Sequence, residues 1–133
     1  MSFLLDTDTC SMYLKRPGKL AHRFLQHIGG LYISTVALAE LYTWAYRRPD
    51  PAPLLTVIEQ DLLEDILVLD FNRLCAVEFA RLRGPLLAKG VVVNPVDLMI
   101  AAVAVSHDLT LVTHNTRHFE VVPGLRIEDW LAT

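Results

Sequence analysis

The chain has 133 residues, 53% of them apolar and 20% charged, with a formal net charge of -3. Such a composition describes one compact globular domain over residues 1–133, able to bury roughly two-thirds of its unfolded surface without disulfides or a structural metal. It excludes a disordered chain and argues against a broad electropositive nucleic-acid surface, while leaving room for a local basic rim.

Short apolar runs alternate with longer helical patterns along the chain. The first run, Phe3 to Leu5, reads as a strand and is followed by helix-type segments from Asp6 to Lys15 and from Gly18 to Ile28. A second strand, Leu31 to Ser34, leads into a helix from Thr35 to Arg47, with Ser34-Thr35 as its cap. The cluster Arg47-Arg48-Pro49-Asp50-Pro51-Ala52-Pro53 reads as a helix-to-helix connection, because prolines block continuation. A helix from Ala52 to Asp65, a strand from Leu67 to Leu69 and a helix from Asn72 to Lys89 follow. In Asn94-Pro95-Val96-Asp97, Asn suits the N-cap, Pro the first helical position and Asp the free N–H groups, so a helix runs from Pro95 to His107. Strands from Thr110 to Thr113 and from Arg126 to Glu128 complete the pattern. Alternation of this kind predicts an α/β fold with a central, mainly parallel sheet of about five short strands. The strands are nearly all apolar, as expected where helices cover both faces.

No stretch reaches about 18 apolar residues without a charge, so no membrane span is expected. The start, Met1-Ser2-Phe3-Leu4-Leu5-Asp6, has neither the basic leader nor the long apolar core of a signal peptide. Cys10 and Cys75 have no CxxC spacing. They fit thiols in a reducing compartment and hence a cytoplasmic protein, with a disulfide left open.

Three acids interrupt apolar surroundings. Asp6 ends the first strand, Glu40 lies within Val36-Ala37-Leu38-Ala39-Glu40-Leu41-Tyr42, and Asp97 opens the run Leu98 to Val105. A carboxylate taken out of water costs several kcal/mol and is normally paired, hydrogen-bonded or metal-bound. No Lys or Arg lies near any of the three in sequence. Brought together, they would repel one another unless a cation or protons intervened. A divalent metal site is therefore the leading expectation. In parallel sheets the active site lies outside the carboxyl ends of the strands, where Asp6 and Asn115 both fall. Leu38, Leu41, Tyr42 and Ala45 form one apolar face of the third helix, and Glu40 lies opposite, beside Val36, Thr43 and Trp44. That second face suits a second subunit, with Glu40 aimed into a shared cleft.

The ordered set Leu4-Leu5-Asp6-Thr7-Asp8-Thr9, Ile33-Ser34-Thr35-Val36-Ala37-Leu38-Ala39-Glu40-Leu41, Asn94-Pro95-Val96-Asp97-Leu98-Met99-Ile100-Ala101-Ala102 and Leu111-Val112-Thr113-His114-Asn115-Thr116-Arg117-His118-Phe119 resembles the PIN-domain ribonucleases, in particular the VapC-type toxins of toxin–antitoxin systems. The tail Val122 to Trp130 also looks like the end of such toxins. The resemblance spans the chain and implies a three-layer α/β/α fold and a metal-dependent endoribonuclease. It implies Mg²⁺ or Mn²⁺ as cofactor, an RNA substrate, a homodimer and a small VapB-like antitoxin as partner. Family acids carry over onto Asp6, Glu40 and Asp97; a fourth position, Asp in many relatives, is Asn115 here. Asp6 and Asp97 are then the primary metal ligands, with Glu40 also toward the metal and holding or deprotonating the attacking water. Asn115 and Thr113 orient ligands or substrate, Asp8 caps the first helix or borders the metal, and Arg117 contacts phosphate or is merely solvated.

Other readings compete. Asp6, Asp97 and Asn115 each suit helix-terminal roles, Asn115 as a cap before Phe119. His114 and His118 lie four apart and could mimic a zinc pair. Arg47 and Arg48, with Tyr42, Trp44 and Tyr46, fit either an RNA rim or ordinary helix-end charges and packing. Asp6-Thr7-Asp8-Thr9 also looks like the first motif of haloacid-dehalogenase-type phosphatases, for which Lys89 is the only candidate downstream lysine. A non-catalytic PIN-like module that binds RNA or a partner is the remaining alternative, motivated by Asn115.

Overall fold

A computed structural model describes residues 1–132. Five strands, β1 (Phe3–Leu5), β2 (Leu31–Ser34), β3 (Leu67–Leu69), β4 (Thr110–Val112) and β5 (Ile127–Glu128), form one sheet in the order β3-β2-β1-β4-β5. Every pairing is parallel, with Phe3 opposite Leu31 on one side and Thr110 on the other. The central strands β1 and β4 are buried along their whole length, which accounts for their nearly unbroken apolar sequence.

The helices are α1 (Thr7–Lys15), α2 (Gly18–Gln26), α3 (Thr35–Tyr46), α4 (Ala52–Val57), α5 (Arg73–Ala88), α6 (Pro95–Ser106) and the short α7 (Thr116–Phe119). The chain steps from β1 to β2 to β3 in one direction, then crosses back beyond β1 to β4 and β5. Right-handed crossovers therefore place α1 to α4 on one face and α5 to α7 on the other, giving three layers. The reversal makes β1 and β4 the topological switch point, outside whose carboxyl ends a cleft must open.

α1, α3, α5 and α6 each start where a short polar side chain accepts from a free N–H. Asp6 takes the Thr9 N–H at 2.8 Å, Ser34 that of Ala37 at 3.0 Å, and Asn72 that of Cys75 at 3.1 Å. Asn94 takes those of Val96 and Asp97 at 2.9 and 3.3 Å. These bonds set the helix phases, and with them where the acids point.

Two expectations change. The segment expected as one helix to Asp65 instead widens: α4 passes into a π-helical turn at Ile58–Leu62, which seats Ile58 and Leu62 in the core. Nor is every strand covered on both faces. β3 is the outer edge, with Leu67 and Val68 exposed.

Gly30 lies at a close approach. A Cβ there would sit 2.7 Å from the Met1 carbonyl oxygen, and the Phe3 N–H bond to the Gly30 carbonyl, 2.8 Å, pins the two segments together. Neither backbone can give without loosening the first β1–β2 bond. Gly30→Ala should therefore cost about 1–3 kcal/mol, read as a lower urea midpoint at unchanged m-value.

Candidate active site

The cleft at the β1–β4 switch has a volume of about 190 Å³ and is lined by Asp6, Thr7, Asp8, Glu40, Asp97, Ile100, Asn115 and His118. Residues separated by as many as 112 positions in sequence meet here because four parallel-strand and helix ends converge. β1 delivers Asp6 directly, and α1 carries Thr7 and Asp8 in its first turn. α3 carries Glu40 just over one turn from its start, α6 carries Asp97 in its first turn, and the loop after β4 carries Asn115.

Asp6 is the buried member, 4% exposed. One oxygen accepts the Thr9 N–H, and its own N–H donates to the Val112 carbonyl at 3.1 Å, tying it to β4. Burial raises its pKa above the usual carboxylate value. Hydrogen bonds from Thr113 and Thr9 oppose that rise, and the Asp8 charge adds to it. Thr113 is fully buried, and its hydroxyl also accepts the Asn115 N–H at 3.0 Å. Thr113 therefore fixes both Asp6 and the turn that carries Asn115.

Asp97 is half-buried, and burial likewise raises its pKa; the His118 imidazole, with Nδ1 3.4 Å from Oδ2, pulls it down, and Asp8 raises it. Glu40 differs from the expectation of an acid in apolar surroundings. It is exposed, on the solvent side of α3, because Ala37, Leu38, Leu41 and Ala45 take the core-facing positions. Its carboxylate accepts from the Thr7 hydroxyl. Asn115 does not cap α7 through its side chain. Its amide Nδ2 instead donates to Asp8, so the neutral side chain occupies the one place where a further carboxylate would face Asp8.

Arg117 lies outside the acid cleft. It borders the adjoining groove with Val91, Val92, Val93 and Val121. His114 and His118 do not form a zinc pair. His114 bonds Asp129 at 3.1 Å, while His118 turns toward Asp97, because α7 is a single turn that cannot align the two. Lys89 caps the far end of α5 and does not line the cleft, which removes the lysine a haloacid-dehalogenase-type site requires. Thr7 and His118 are the site residues the sequence reading missed. Thr7 sits between two acids on a cap, a spacing that carried a signal; His118 is visible only once α7 folds back onto α6.

No Lys or Arg lines the cleft, although four carboxylates do. Partial compensation comes from helix N-termini: Asp6 caps α1, Asp8 lies in its first turn, and Asp97 in the first turn of α6. Among the described residues no three His, Cys, Asp or Glu side chains already converge as a closed ligand set. An open, oxygen-rich, half-solvated cleft of this kind suits a hard cation that keeps most of its waters and takes one or two carboxylates.

Residues 3–125 match the model of the PIN domain, and the chain belongs to the PIN-domain family. It is 38% identical over 131 residues to the tRNA(fMet)-specific endonuclease VapC of Salmonella typhimurium, covering 98% of each chain. The Shigella flexneri protein of the same name is 40% identical with the same coverage. The fold superposes on the crystal structure of DNA-bound VapBC from Salmonella typhimurium with a TM-score of 0.93, again over 98% of each chain. Within its family the chain thus stands among the VapC-type ribonucleases, the toxins of VapBC toxin–antitoxin systems.

The raised pKa of Asp6 has a definite sign. The folded state holds the Asp6 proton more tightly than the unfolded state, so the burial penalty is full above the folded pKa and fades as pH falls through the carboxylate range. Asp6→Asn keeps an oxygen for the Thr9 N–H and removes the charge. It should raise the melting temperature at pH 7 in metal-free buffer. That gain should shrink toward zero as the pH is lowered through the carboxylate range, measured by thermal scans across a pH series.

Proposed function

We propose that the protein is a Mg²⁺- or Mn²⁺-dependent endoribonuclease acting as the cytoplasmic toxin of a VapBC-type pair, with transfer RNA, the initiator species first, as its substrate class. The single observation that carries the reading is the cleft where Asp6, Asp8, Glu40 and Asp97 meet with no lysine or arginine among them. Two full-length relatives at 38% and 40% identity carry the tRNA(fMet)-specific name, which supports the substrate class. The VapBC complex on which the fold superposes supports a VapB-like antitoxin as partner. No helix is long and apolar enough to cross a membrane among the described residues. A homodimer fits the apolar residues left exposed on α5 and on β3, among them Leu74, Val77 and Leu67.

Asp6, from the end of β1, and Asp97, from the first turn of α6, would hold the cation between them. Bound there, Mg²⁺ or Mn²⁺ supplies Lewis-acid neutralisation of the phosphodiester and lowers the pKa of a water. Glu40 faces solvent at the lip of the cleft, so its carboxylate orients the attacking water and takes its proton. The Thr7 hydroxyl holds the Glu40 carboxylate in place. Thr113 and Thr9 lock Asp6, and Asn115 holds Asp8 at the border of the site without adding a fifth charge. With Asn at that position, one cation is held more securely than two.

Purified protein should cut initiator tRNA in Mg²⁺ or Mn²⁺ and stop in EDTA. Asp97→Asn should lower the rate at least about a hundredfold while circular dichroism stays unchanged. Mapping the RNA ends from cells expressing wild type beside Asp97→Asn reads activity and substrate together; cleavage that ignores both EDTA and Asp97→Asn overturns the mechanism. Asn115→Asp tests the neutral position separately. It sets a carboxylate against Asp8, so it should lower the melting temperature in EDTA and enlarge the stabilisation gained on adding Mn²⁺.

A further inference from the structure

α1 and α3 lie side by side and are polarised in the same sense. Thr7, at the start of α1, donates to Glu40, in the second turn of α3, at the lip of the acid cleft. At their last turns the Lys15 ammonium stands 5.0 Å from the centroid of the Trp44 ring. The guanidinium of Arg48 also rests on that ring, at 5.3 Å. Arg16 and Arg47 are the C-terminal caps of the same two helices. All four cations are exposed, and none takes part in an ion pair among the described residues. Glu40, Thr43, Trp44, Arg47 and Arg48 follow helical spacing, so the path from the cleft to the cations runs along one surface of α3 for about 12 Å.

In a chain of net charge -3, four of its twelve Lys and Arg residues are gathered at this one end of two helices. Favourable charges at a helix C-terminus explain a cation on each helix. They do not explain why two cations from different helices share one aromatic ring. A guanidinium kept beside an indole leaves planar faces on which a nucleobase can stack, and the neighbouring ammonium and guanidinium groups neutralise phosphates on either side. The next surface, around α4 and its π-helical turn, carries Glu59, Asp61, Glu64 and Asp65 and repels a polyanion, which confines it to the α1–α3 seam.

We propose that Lys15, Arg16, Trp44, Arg47 and Arg48 form a single-stranded RNA subsite, reached from the acid cleft along α1 and α3, that grips the substrate a few nucleotides from the cut. The proposal takes its ligand class from the ribonuclease reading. Trp44 is a positioning residue that holds the two cations, and Lys15 and Arg48 touch the RNA.

The test is fluorescence anisotropy with a short single-stranded RNA in EDTA, so that binding is read without cleavage. Lys15→Gln with Arg48→Gln should weaken binding roughly tenfold and reduce the slope of log K against log salt by about 1.4, the loss of two phosphate contacts on a single strand. Arg73→Gln with Lys89→Gln removes the same charge from the opposite face at α5 and should leave both quantities unchanged. In Mg²⁺ the first double variant should raise KM with kcat retained. Wild-type RNA binding equal to that of the Lys15/Arg48 variant, or no RNA binding by wild type, overturns the subsite. So does RNA binding intact in that variant with affinity for the VapB-like antitoxin lost, which assigns the patch to the protein partner. Charge-dependent binding without any cleavage in Mg²⁺ leaves the subsite standing and fails the ribonuclease reading instead.

Discussion

Mutual repulsion among carboxylates is the constraint around which the molecule is arranged. Asp6, Asp8, Glu40 and Asp97 share one cleft without a basic side chain from Lys or Arg. The fold tolerates them by unequal means. Asp6 is buried but accepts hydrogen bonds from Thr9 and Thr113. Asp97 is half-buried with an imidazole against it. Asp8 is held by the Asn115 amide, and Glu40 is left in water. Helix N-termini beneath three of the four supply partial positive charge where no side chain does. A site assembled this way stores a demand for a cation.

The parallel sheet is what makes that assembly possible. Parallel strands point their carboxyl ends the same way, and β1 to β4 are each followed by a helix whose N-terminus opens toward the same edge. Asp6 serves both purposes at once, as the cap that begins α1 and as the acid at the floor of the cleft. Its structural and chemical readings are therefore not rivals. The same helices run away from the cleft and end in basic residues, so a single pair of helices carries both the acids that suit a cation and the cations that suit a polyanion.

Much of this was legible in the chain itself. The strands, the order of the helices and the caps at Asp6, Ser34, Asn72 and Asn94 follow from short-range chemistry, because a cap needs only its own next three residues. The acids were legible as well, since a carboxylate beside an apolar run is conspicuous. Their environments were not. The helical wheel of α3 already set Glu40 opposite Leu38, Leu41 and Ala45, but its bond from Thr7, 33 residues away in sequence, was not visible in it. Asn115 looked like a cap and is instead a donor to Asp8, a partner 107 residues away in sequence. His118 was paired in sequence with His114, whereas the single turn of α7 sends them to different acids.

By itself the sequence determined the class of fold, the family resemblance and the identity of the acidic set, because local periodicity, capping and ordered motifs are written in consecutive residues. Tertiary structure decided which acid is buried and which is free. It decided that Thr113 and Thr7 anchor two of them, that Arg117 stands apart from the cleft, and that Lys15 joins Arg48 on Trp44. Those outcomes depend on which elements pack side by side, and a carboxylate's burial, partners and pKa are properties of that packing and not of its neighbours along the chain.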